Sequence, residues 1–127
     1  MPVRSLTSSV LRWPEPERVV REARAWATRE RTRRPELLRL GYFGSYARAD
    51  AGVGSNLDLV AVVRSSSEPF ERRSIGWDLG ELPVPTEILV YTRAEWTDLQ
   101  RRGGRFGRML RDEVVWMGAG ERENDGT

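Results

Sequence analysis

Gly44-Ser45, followed by Arg48 and then by Asn56-Leu57-Asp58, gathers residue types able to handle a polyanion and a hard cation together. Glycine lets a ligand come close to the backbone because no Cβ intervenes. A serine opening a helix leaves backbone N–H groups and a hydroxyl to donate to phosphate oxygens. Arg48 lies one helical turn beyond Ser45 on the same side and adds a fixed positive charge. Residues at i and i+2 of a strand point to one face, so Asn56 and Asp58 present their side-chain oxygens together. An ordinary strand-to-helix turn with a capping serine uses the same Gly-Ser pair, so the pair alone decides nothing.

These side chains need elements to hold them, and hydrophobic periodicity marks those elements out. Pro14 and Pro16 open a helix in which Val19, Ala23 and Trp26 recur at helical spacing and which ends before Pro35. Leu38, Leu40 and Tyr42 alternate in a short strand stopping at Gly44, where Ser45 caps a helix through Tyr46, Ala47 and Arg48. After the loop Ala51-Gly52-Val53-Gly54, a buried strand runs from Asn56 to Val63. Leu57, Leu59, Ala61 and Val63 line one of its faces; Asn56, Asp58, Val60 and Val62 line the other.

Beyond the serine run 65–67, Pro69 starts a helix expected to reach Leu82 and to bury Phe70, Ile75, Leu79 and Leu82. Pro83 and Pro85 end it, and Thr86 to Tyr91 forms a third strand with Glu87, Leu89 and Tyr91 on one face. Thr92 and Glu95 make a capping box for a helix bearing Trp96 and Leu99. Gly103 and Gly104 break that helix, and Val114 to Met117 is a fourth short strand. This alternation predicts an α/β domain, a small sheet with helices packed on it. Its span is 15–118, after an N-terminal extension 1–14 and before a tail 119–127 expected to be disordered for want of apolar anchors.

Composition removes whole classes of chemistry. With 127 residues the chain is one domain. It has no cysteine and no histidine, and all 21 basic residues are arginine. Thiolate and imidazole catalysis, lysine Schiff bases and a P-loop lysine are thereby excluded. Carboxylate chemistry remains, with or without an oxygen-ligated metal. A net charge of +2 makes no case for nucleic-acid binding. The segment RRGGRFGRMLR, 101–111, offers an RNA or acidic-partner surface, but reads more simply as a helix end with solvated arginines. No apolar run approaches the roughly 20 residues of a membrane span, and no signal-peptide core is present, so a cytoplasmic protein with no membrane partner is expected.

The stretch 41–63, GYFGSYARADAGVGSNLDLVAVV, resembles the active-site signature of the polymerase-beta-type nucleotidyltransferase superfamily in its minimal, single-domain form. The resemblance implies a mixed sheet over about residues 15–117, with Gly44, Ser45 and Arg48 on the triphosphate of ATP or another nucleoside triphosphate. It implies acids holding Mg2+ at three positions, of which Asp58 is the second and Glu87, on a neighbouring strand, the third. The reaction implied is transfer of a nucleoside monophosphate to a hydroxyl on a protein, small molecule or RNA. Small members of the family work beside a helical protein partner encoded next door, as the antitoxin of a toxin pair, and a homo-oligomer is compatible with the pattern.

Two departures stand out. Asn56 occupies the first acid position, and an amide oxygen holds magnesium more weakly than a carboxylate. Ala49 replaces the glycine usual after the arginine. Two outcomes stay open: a slow enzyme using Asp58 and Glu87, or a nucleotide- or partner-binding module without catalysis. Glu87 also has the plainer reading of an exposed strand-start residue.

Overall fold

The computed structural model describes residues 13–118, so most of the N-terminal extension and all of the tail lie outside the described residues. The first element, α1 (Pro16–Arg33), has proline in its first turn, where a missing N–H costs nothing, and arginines 31 and 33 in its last, where the helix dipole favours positive charge. Then follow β1 (Leu37–Phe43), a single-turn α2 (Ser45–Arg48) and β2 (Leu57–Val63). Two 3-10 segments, Phe70–Gly76 and Leu79–Glu81, precede β3 (Thr86–Thr92), α3 (Arg93–Arg102), α4 (Arg105–Glu113) and the two-residue β4 (Val115–Trp116).

The sheet is mixed, in the order β3-β2-β1-β4. β1 runs antiparallel to both its neighbours, while β2 and β3 are parallel. Each face is covered, as the apolar run of β2 requires. On one face Val19, Ala23, Trp26 and Ala27 of α1 pack with Leu40, Leu57, Leu59, Ala61 and Val63. On the other, Trp96 of α3 and Leu110 of α4 pack with Leu38, Val60 and Val62. The architecture is therefore α+β, with the mixed sheet and flanking helices expected.

The structure alters four local expectations. Leu38 does not share the face of Leu40 and Tyr42, because the β1–β2 register shifts between Leu37 and Arg39 and turns Leu38 to the opposite core. The stretch 69–82 is not one helix: Ser74, Gly76, Asp78 and Gly80 are weak helix formers, and only the short 3-10 segments form. Leu82 is buried as expected, but Ile75 is 72% exposed and Phe70 39%. Trp77 goes inward instead, and the Arg34 guanidinium stacks 3.7 Å from its ring centroid.

The third change concerns the arginine-rich stretch, which forms α4. Gly103 closes α3 in a left-handed conformation (φ 66°) and Gly104 caps α4. Gly107 and Leu110 face inward while Arg105, Arg108 and Arg111 are exposed. Finally, Asn56 lies just before β2 rather than within it.

Candidate active site

The site is built where β1 ends and the parallel strands β2 and β3 begin. Asp58 pairs in register with Phe43 across the antiparallel ladder and with Glu87 across the parallel one. Adjacent strands lie about 4.8 Å apart, so residues 58 and 87 stand side by side on the same face. The same alternation places Val60 and Val62 under α3 and α4, so this carboxylate pair opens at the edge of that covered face. Asp58 is half-buried and Glu87 exposed.

Gly44 follows Phe43 and turns the chain into α2. Its backbone angles, φ 77° and ψ −151°, belong to a region that side-chain-bearing residues essentially never occupy. A Cβ on Gly44 would overlap the Asp58 carboxylate oxygen Oδ2. Glycine is thus required twice over, for its angles and because the carboxylate rests against the bare Cα. Gly44, not Ser45, is the helix cap: Ser45 is the first helical residue, and no side chain caps the turn. Ala49 ends α2 at φ 65°, ψ 30°, the left-handed conformation that glycine adopts more cheaply.

Electrostatics set Asp58 apart. Burial pushes its pKa upward first, and the neighbouring Glu87 charge adds to this, as does Glu113, while Arg48 opposes them. A carboxyl destabilised by burial and by like charge is one that a cation relieves. Among the described residues no three His, Cys, Asp or Glu side chains gather as a ready-made metal set. Two carboxylates nonetheless fit the usual way of holding magnesium, which relies on one or two carboxylates plus the phosphates of a substrate. Asn56, exposed at the entrance to β2, adds at most a neutral oxygen.

Of the six residues singled out from sequence, Asp58, Glu87 and Gly44 come together directly. Ser45 follows in the same turn, and Asn56 lies two residues before Asp58 at the edge. Arg48 is half exposed and shared between Asp50 and Glu113, at 3.3 and 3.4 Å. Sequence reasoning missed Glu113. This residue, the last of α4, accepts a 2.6 Å hydrogen bond from the Gly44 N–H. No spacing rule could have found it, because it arrives from 69 residues further along the chain. Cavities lie elsewhere, among them a groove of about 550 Å³ between α1 and α2 that includes Val20, Arg24 and Tyr46, and a pocket of about 370 Å³ at the far end of β2.

These features describe an α+β core in which a glycine turn meets in-register acids on parallel strands. The fold is shared with a candidate nucleotidyltransferase from Sulfolobus solfataricus, 17% identical over 85% of each chain, with a TM-score of 0.58. No family model and no curated protein matches the sequence.

Proposed function

We propose that the chain is a nucleotidyltransferase that moves a nucleoside monophosphate from ATP or another nucleoside triphosphate to an acceptor hydroxyl. The observation that carries this reading is the placement of Asp58 and Glu87 side by side, with the Asp58 carboxylate against the bare Cα of Gly44. Gly44, Ser45 and Arg48 would hold the terminal phosphates, as close backbone approach and a fixed arginine charge allow. Asp58 and Glu87 would hold magnesium, whose role is to neutralise charge on the transferring phosphate. The acceptor hydroxyl oxygen attacks the α-phosphorus and gives up its proton to solvent, the bond to the bridging oxygen breaks, and pyrophosphate leaves. Glu87, the exposed member of the pair, is the carboxylate open to the acceptor side. A helical protein encoded by a neighbouring gene is the acceptor to test first, as the resemblance to small, antitoxin-type nucleotidyltransferases implies.

Asn56 favours a second reading, a nucleotide- or protein-binding module with little catalysis. Only two carboxylates stand in register, and the residue at the first acid position is neutral. Asn56→Asp separates the two. A labelled-nucleotide transfer assay with magnesium should show the variant faster than wild type by about 10² or more if the site is a weakened enzyme. Tighter magnesium binding without any transfer supports the binding module, and no change in either makes the site vestigial.

A further inference from the structure

Glu113 occupies two of the groups that the proposed function assigns to phosphate, the Gly44 N–H and the Arg48 guanidinium. Its carboxylate accepts the Gly44 N–H at 2.6 Å and lies 3.4 Å from the Arg48 guanidinium. The side chain is only 16% exposed, so the contact is not a loose surface rotamer. Its position is set from both sides along the chain. Three residues earlier, fully buried Leu110 anchors α4 in the core, and the Val114 N–H still bonds to the Leu110 carbonyl. Two residues later, Val115 pairs with Tyr42 on the edge of the sheet. The end of α4 is thereby held beside the end of β1.

We propose that Glu113 is a built-in anion that occupies the phosphate-facing turn and competes with the triphosphate for it. This rests on the reading of Gly44 and Arg48 as phosphate ligands. A carboxylate and a phosphate oxygen make the same kinds of bond to a backbone N–H and a guanidinium, so both cannot use them at once. Asp58 and Glu87 stand next to this turn, and Arg48 is also engaged by Asp50. A ligand that displaces Glu113 must therefore satisfy two donors and bring its own compensation for three nearby carboxylates. A polyphosphate carrying a divalent cation does so, whereas a bare monoanion does not. Glu113 thus acts as a selectivity element, raising the threshold for phosphate and other single anions above that for a metal-bound triphosphate.

The test follows the Gly44 amide by NMR in ¹⁵N-labelled protein while Mg2+-tripolyphosphate, Mg2+-ATP or inorganic phosphate is added. Wild type is compared with Glu113→Gln, which keeps a hydrogen-bond acceptor and removes the charge. We expect the Gly44 resonance to move in both proteins, with half-saturation by Mg2+-tripolyphosphate at about tenfold lower concentration in the variant, one charge-assisted contact no longer being displaced. Inorganic phosphate should shift Gly44 only in the variant. Should Glu113→Gln fail to fold, Glu113→Asp draws the carboxylate back by one methylene and is expected to move half-saturation in the same direction. Equal half-saturation, or weaker binding by the variant as a lost ligand would give, overturns the competition while leaving the phosphate site standing. If Mg2+-ATP saturates without moving Gly44 in either protein, the phosphate reading itself fails and the competition goes with it.

Discussion

Gly44→Ala tests the geometry on which the site depends. Two costs act at this position. The backbone sits at φ 77°, ψ −151°, and holding a residue with a Cβ in such a region costs about 1–3 kcal/mol. The new methyl would also overlap Asp58 Oδ2 and lie 3.3 Å from its Cγ, forcing the carboxylate out of its rotamer for a further ~1 kcal/mol. Against these, alanine restricts the unfolded chain and returns about 0.4–1 kcal/mol. The net expectation is a loss of about 2–3 kcal/mol, or a fall in Tm of about 8–12 °C. Gly54→Ala is the reference: Gly54 also has a positive φ, 87°, but nothing within 4 Å of its would-be Cβ, so only the backbone term applies. Urea unfolding of both variants, each with and without Asp58→Ala, isolates the clash as a coupling energy. If Gly44→Ala costs no more than Gly54→Ala, or if Asp58→Ala leaves the difference unchanged, the carboxylate does not rest on Gly44.

Ala49→Gly should raise stability by about 0.5–1 kcal/mol in the same unfolding assay, because φ 65° is strained for alanine; a loss would mean the turn relaxes in solution. Asp58→Asn should stabilise the metal-free protein near neutral pH. The sign follows from the raised pKa, which makes the ionised carboxyl a cost of folding. The gap between variant and wild type should therefore open as pH rises from the ordinary aspartate value of 3.8 through the raised one, and unfolding curves across that range check it. Glu95 is held down to about 2, first by its hydrogen bonds from Arg73, at 2.6 and 3.0 Å. Its stabilisation is thus complete above the ordinary 4.5 and lost as pH falls towards 2. With Glu95 42% exposed, screening limits it to about 1–2 kcal/mol, and the stability lost by Arg73→Gln should be greater at pH 6 than at pH 2 by that amount, the bonds from Arg73 to the Glu68 and Val90 carbonyls being lost at both.

The parts of the site legible in the sequence are those that strand alternation dictates. Asp58 shares a face with Val60 and Val62, and Glu87 with Leu89 and Tyr91, because a period of two admits no other arrangement once the apolar residues are buried. The capping box at Thr92 and Glu95 was equally plain, since its two hydrogen bonds are local. What could not be read depends on contacts distant in sequence. The register shift that reverses Leu38 arises from pairing with Val62 and Val63. The stretch after Pro69 carries apolar residues at helical spacing, yet its glycines and the inward turn of Trp77 prevail over that pattern. Glu113 reaches Gly44 only because Leu110 docks α4 and Val115 pairs with Tyr42. In the arginine-rich stretch the charges conceal an amphipathic helix whose inward residues are only Gly107 and Leu110, with Met109 partly covered.

The proposed metal-assisted nucleotide site stands on Asp58, beside Glu87 and the Gly44 turn. Calorimetric titration of ATP into wild type and Asp58→Asn, each with and without magnesium, tests it most directly. Wild type should bind ATP only in the presence of magnesium, and Asp58→Asn should bind at least tenfold more weakly, about 1.4 kcal/mol, while remaining folded. ATP binding that is indifferent to magnesium, or that survives Asp58→Asn unchanged, would contradict it.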